Sequence, residues 1–148
     1  LAGKGHNGED ARNAREHLAG RRVEVLDATE TAGDLEKLES LLKLRPVLLV
    51  DGLFGIGLNR PLGPEWASFI ERVNGARVPV LAVDVPSGLN ADTGQPQGAA
   101  IKAASLFYGG RRFDFGCLLS GSQTVYAQCA KYRRSRRRRY RCPVSRLD

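Results

Sequence analysis

Apolar residues recur along this chain in two alternating rhythms. Val80-Leu-Ala-Val83 is a short β-favouring run that stops at Asp84, and Pro46-Val-Leu-Leu-Val50 stops in the same way at Asp51. Both read as buried strands that deliver a carboxylate into a loop, since Pro86, Ser87 and Gly88 in one case and Gly52 in the other do not continue a central strand. Arg22-Val-Glu-Val-Leu-Asp27 alternates and predicts a further strand. Between these runs the period is helical. Ala11 to Ala19 places Ala11, Ala14 and Leu18 on one face with Gly20 as its stop; Asp34 to Lys43 turns Leu35, Leu38, Leu41 and Leu42 inward. Pro64 to Val73 starts on a helix-compatible proline and turns Trp66, Phe69, Ile70 and Val73 inward. At that spacing Trp66 and Phe69 read as core rather than as a stacking platform.

Strands alternating with helices of this length predict right-handed βαβ units and an α/β fold with a mainly parallel sheet. The rhythm fades after about residue 104. Ser105 to Gly121 alternates only loosely, and Tyr132 to Arg141 is an arginine-rich, self-repelling run. The domain reading is therefore 1–104 for the α/β body and 105–148 for an atypical basic tail, the break that a shift of reading frame near Ala104 would leave.

Composition changes this picture in several places. With 148 residues and 42% hydrophobic content the chain is the size of one domain able to bury a core. The formal charge of +7 belongs to the tail, because residues 131–148 hold nine of the 23 Lys and Arg against Asp148 alone, which leaves 14 basic and 15 acidic residues in the rest. Cys117, Cys129 and Cys142 form no Cys-x-x-Cys pair and lie away from His6 and His17, so free thiols are expected rather than a zinc site. The sequence has no apolar run long enough for a membrane helix and no secretory leader, which makes cytoplasmic the expected location. The lack of any Met, and a start directly in a glycine loop, give the expectation of a fragment or processed product.

Three polar, glycine-rich segments follow or open near the strand ends: Gly3-Lys-Gly-His-Asn-Gly-Glu-Asp10, Gly52-Leu-Phe-Gly-Ile-Gly-Leu-Asn-Arg-Pro61, and Asp84 to Gly94. In open α/β sheets ligands bind beyond the carboxyl ends of the strands. If the three loops converge, Asn7, Asp10, Asp51, Asn59, Asp84 and Ser87 offer oxygen donors that suit a hard cation or a nucleotide, not the imidazole and thiolate a transition metal prefers. Asp84, at the mouth of a buried strand, is a candidate general acid or base. Each residue alone also has a bland reading as a turn cap, and His6 as a solvated loop side chain. The P-loop pattern is not present.

In this order and spacing the three segments resemble the signatures of the NAD(P)H-hydrate epimerase family, the YjeF N-terminal domain, over residues 1 to about 103. The resemblance implies a Rossmann-like three-layer α/β/α sandwich, here expected to be truncated at both ends. It also implies interconversion of the R and S epimers of hydrated NADH and NADPH, with a bound potassium ion. Carried across by motif, potassium would be held by Asn7, Asp51 and Ser87. The substrate would meet His6, Asn7, Gly8, Glu9 and Asp10, then Gly55, Ile56, Gly57, Leu58, Asn59, Arg60 and Pro61, and finally Asp84 as the acid/base. Such proteins are often dimers or fused to a dehydratase.

Two departures bear on that expectation. The family's Asn-Asn-Gly-Gly-Asp-Gly reads here as His6-Asn7-Gly8-Glu9-Asp10-Ala11, so Glu9 adds a negative charge where phosphate is expected. The arginine run replaces the family's final strands. Two alternatives therefore stand beside the epimerase: a nucleotide-binding fragment without catalysis, and salt-sensitive nucleic-acid binding through the tail, which lacks an aromatic platform or recognition helix.

Overall fold

A computed structural model of the chain describes residues 1–29, 31–108 and 111–114. Helix α1 spans His6–Asn13 and tightens into a 3₁₀ turn at Ala14–His17; α2 spans Thr31–Lys43 and α3 Pro64–Gly75. Strands β1 (Leu49–Asp51), β2 (Val80–Val83), β3 (Ser105–Tyr108) and β4 (Arg111–Asp114) form one sheet in the order β1-β2-β3-β4. Its first three strands are parallel and β4 is antiparallel to β3.

The sheet is prolonged beyond β1 by single bridges. Ala2 pairs in parallel with Gly52 on one side and with Asp27 on the other. Chain order along the sheet thus runs 27, 2, 51, 82, 106, and it reverses between Ala2 and β1. Right-handed crossovers running in opposite directions from that reversal place α1 on one face and α2 with α3 on the other. An ion pair from Arg72 Nε to Glu39 Oε1, 3.2 Å, ties α3 to α2. This is a Rossmann-like α/β fold with a mainly parallel sheet.

The core forms where the helical and strand patterns predict it. Leu38, Phe69, Ile70, Val73, Val80 and Ala82 are buried together with Leu26, Leu53, Leu89, Ile101 and Leu106. Trp66 stacks edge-on against Phe54 and Phe69, at centroid distances of 4.9 and 5.6 Å, which confirms its place as packing.

Four local expectations change. Arg22 to Asp27 is not a strand: its partner, Leu1 to Gly3, is too short for a ladder, and the bonds Ala2 N–H to Leu26 O and Ala28 N–H to Ala2 O fasten only its end. The first helix begins at His6, five residues earlier than its apolar spacing suggests, because Gly5 is extended and starts it. β1 shrinks to Leu49–Asp51, since pairing with β2 starts only at Leu49 opposite Val80, and Val47 is 91% exposed. Finally, Ser105–Tyr108 is a regular strand beside β2, and it begins where the alternation was too loose to predict one. The arginine run and the three cysteines lie outside the described residues.

Candidate functional site

The carboxyl ends of the Ala2 segment, β1 and β2 meet at the point where the order along the sheet reverses, the place where open α/β sheets bind ligands. Asp51 closes β1 fully buried, and Ser87, also fully buried, comes from the loop after β2. Asp51 Oδ1 accepts the Ser87 hydroxyl at 2.6 Å and the Leu53 N–H at 3.3 Å, while Oδ2 accepts the Ser87 N–H at 2.8 Å. Ser87 Oγ in turn accepts the Phe54 N–H at 2.8 Å. Burial raises the Asp51 pKa above its ordinary 3.8, and the hydrogen bonds from Ser87 and Leu53 oppose that rise.

Asn7 enters from α1. Its Nδ2 donates to Phe54 O at 2.9 Å, the same carbonyl that lies 3.2 Å from Ser87 Oγ. Its Oδ1 is buried and has no hydrogen-bond partner. A buried acceptor left unpaired costs about 1–3 kcal/mol, so such an atom points to a ligand. The lone-pair count agrees. Asp51 Oδ2 and Ser87 Oγ each keep one acceptor position beyond the bonds above, and Asn7 Oδ1 keeps both of its own. Every free position is an oxygen, the donor chemistry of a hard cation. No cluster of three His, Cys, Asp or Glu suited to a metal occurs among the described residues.

Asp84 stands at the end of β2 with φ +69, a left-handed backbone that a side-chain-bearing residue holds only under constraint. Its Oδ2 accepts the Ile56 N–H at 3.0 Å. A Cβ added to Gly55 would lie 3.0 Å from that oxygen and 3.4 Å from Asn7 Cβ, so the bare glycine lets Asp84 and Asn7 approach one backbone. Gly88 is needed for a different reason: at φ +90, an added Cβ would fall 1.9 Å from Ala99 O. That turn sets the direction of Ser87.

The structure thus brings together Asn7, Asp51, Ser87, Gly55, Ile56 and Asp84. Gly8 is buried against Gly3, while Glu9 and Asp10 are exposed on α1. His6 is fully exposed, with Nδ1 3.7 Å from Glu9 Oε2. Gly57, Leu58, Asn59, Arg60 and Pro61 form the outer part of the loop between β1 and α3, mostly in solvent. The first motif is helix rather than loop, because Gly5 starts α1 one residue before His6. Sequence reading missed Phe54, whose backbone N–H and carbonyl join Ser87 to Asn7; only its position between Asp51 and Gly55 hints at this. The third motif divides: Asn90 Oδ1 accepts the N–H groups of Asp92 and Thr93 at 3.0 and 2.9 Å, which makes Asn90 to Gly94 a self-closed turn.

A separate recess of about 430 Å³ lies at the opposite end of the sheet, between Glu39, Lys43, Arg45 and Arg72. Two helix C-termini surround it, where cations are ordinary charge compensation.

The family described as "YjeF-related protein N-terminus" matches residues 25–107, a stretch that contains β1, β2, Asp51, Asp84 and Ser87. The chain belongs to this family. It is 43% identical over 121 residues to a protein named NAD(P)H-hydrate epimerase from Achromobacter xylosoxidans (strain A8), covering 70% of this chain and 58% of the relative. A protein of the same name from Bordetella bronchiseptica is 46% identical over 115 residues, covering 66% and 50%. A "Bifunctional NAD(P)H-hydrate repair enzyme Nnr" from Gloeobacter violaceus is 40% identical over 125 residues, covering 72% of this chain and 25% of the relative. The chain spans about half the length of the epimerases it matches. Among the described residues, no helix is long and apolar enough to cross a membrane.

Proposed function

We propose that the chain epimerises the R and S forms of hydrated NADH and NADPH. The observation that carries this reading is Asp84: a carboxylate fixed by strained backbone at a strand end, beside a buried oxygen cluster in which Asn7 Oδ1 has no partner. Inverting one carbon that bears a hydroxyl next to a ring nitrogen needs a single group able to give and take back a proton. Asp84, half-buried and open to the loop of Gly55 and Ile56, protonates that hydroxyl. The carbon–oxygen bond breaks, water leaves, and the ring nitrogen's electron pair forms a planar carbon–nitrogen double bond. Water then adds to the other face and returns the proton to Asp84.

Asn7, Asp51 and Ser87 are the residues that would hold potassium. The ion, when bound, would supply a fixed positive charge that balances the buried Asp51 carboxylate and holds the strand-end loops together. The Gly55 to Pro61 loop and the start of α1 would hold the nucleotide, with Glu9 weakening the phosphate contact by repulsion. A dehydratase that consumes one epimer is the expected partner, in line with the bifunctional name of the Gloeobacter relative.

The test is the rate at which a single epimer of hydrated NADPH equilibrates, in KCl and in NaCl of equal ionic strength. Rapid equilibration in KCl, with Asp84→Asn slower by about 10²–10⁴-fold, is the expected result. Tight ligand binding without epimerisation would instead identify a binding fragment.

A further inference from the structure

Helix α1 carries Asn7 but has few means of holding it in place. It is strongly polar, its N-terminus has no side-chain cap, and Gly8 is its one buried residue. Its sheet-facing side consists of Asn7, Gly8, Ala11 and Arg12, which share one face at i, i+4 spacing. There the contacts are close. A Cβ on Gly8 would fall 2.0 Å from Gly3 O, and a Cβ on Gly52 would fall 2.5 Å from that of Ala11 and 2.7 Å from Asn7 O.

Arg12 closes this face. Its Nε donates to Asp27 Oδ1 at 2.6 Å and its Nη2 to Gly3 O at 2.9 Å. One planar guanidinium therefore grips two neighbouring strand ends, the Leu1 to Gly3 segment and the segment ending at Asp27, which are themselves joined through Ala2. The forked, charge-assisted geometry fixes the helix in rotation as well as height. Together with its own Nδ2 bond to Phe54 O, rotation decides where the amide of Asn7 points, since its Cα lies one turn before Ala11, the neighbour of Arg12.

We propose that Arg12 is a positioning residue for the cation site: it anchors α1 to the two strand ends so that Asn7 Oδ1 is presented to potassium already oriented. This inference rests on the reading of Asn7, Asp51 and Ser87 as potassium ligands. Arg12 touches neither the ion nor the substrate. Losing the clamp lets α1 turn or slide, and potassium must then select the correct position from several, which lowers apparent affinity without altering the occupied site.

Two readouts on the full chain test the inference. Trp66 is the sole tryptophan and stacks on Phe54, whose carbonyl receives Asn7, so its fluorescence follows potassium binding without any turnover. The second readout is the half-saturating potassium concentration for epimerisation. For Arg12→Met both half-saturation values rise about tenfold, while kcat at saturating potassium stays within about twofold. Arg12→Lys, which keeps the charge but not the fork, and Asp27→Asn, at an exposed position, give smaller shifts in the same direction. Half-saturation unchanged in all three folded variants, or a fall in kcat that saturating potassium does not restore, overturns the positioning role. A wild-type protein whose Trp66 fluorescence and activity both ignore potassium overturns the ligand reading itself, and this inference with it.

Discussion

Asp51 and Ser87 show how much of the site depends on a pair of buried side chains. Ser87 gives Asp51 a hydroxyl and an N–H, and takes an N–H from Phe54, so one residue satisfies both oxygens of a buried carboxylate and a part-buried N–H. Removing its oxygen leaves the carboxylate short of a donor and the Phe54 N–H short of an acceptor. Ser87→Ala should therefore lower stability by about 2–4 kcal/mol, more than a solvent-exposed serine would. Urea unfolding checks this: the midpoint falls with little change in slope. An unchanged midpoint would mean that the network is satisfied by other groups. Asp51 was legible in the sequence because it stops an apolar run, and Ser87 because it lies in the Pro-Ser-Gly loop that follows one. The joining role of Phe54 was not, since it acts through backbone groups while its ring packs on Trp66, and a side-chain pattern records only the second.

Elements differ in how openly the sequence announces them. α2 and α3 have inward stripes of Leu35, Leu38 and Leu41 and of Phe69, Ile70 and Val73, so burial and helical period coincide. α1 has no such stripe; it lies on glycines, and close backbone approach leaves no periodic apolar signal. The strand misreading at Arg22 to Asp27 has a similar origin, because alternation records a side-chain pattern but not the length of the partner it must pair with. At the C-terminus of α3 the sequence goes against local preference. Arg77 sits at φ +55 just past the helix end, where glycine is usual. Arg77→Gly should stabilise the fold by about 0.5–1 kcal/mol. The loop residue Gly88 is the opposite case, and Gly88→Ala should cost about 3 kcal/mol, through both its φ of +90 and the clash with Ala99 O. Thermal midpoints that moved the same way in both variants would contradict this assignment.

For the whole molecule, the buried carboxylate couples stability to pH and, on the proposed ligand set, would couple it to potassium as well. Burial raises the Asp51 pKa above 3.8, so between 3.8 and the raised value the native state keeps a proton that the unfolded chain has released. Without a cation, the contribution of this group therefore falls as pH rises through that window, and stays at its lower value above it. On the proposed ligand set potassium would work in the other direction, because it would bind the ionised carboxylate and only in the folded state. The gain in thermal midpoint on replacing NaCl by KCl at equal ionic strength should thus be small in acid and grow as pH climbs through the window. Asp51→Asn removes the ionisation, so in that variant the same exchange of salts should give a small gain that does not vary with pH. Melting curves over a pH series for both proteins measure this directly. A potassium gain equal at every pH in the wild type would show that Asp51 does not meet the ion as a carboxylate, and the oxygen cluster would then have to be read as neutral packing polarity around Asn7 and Ser87.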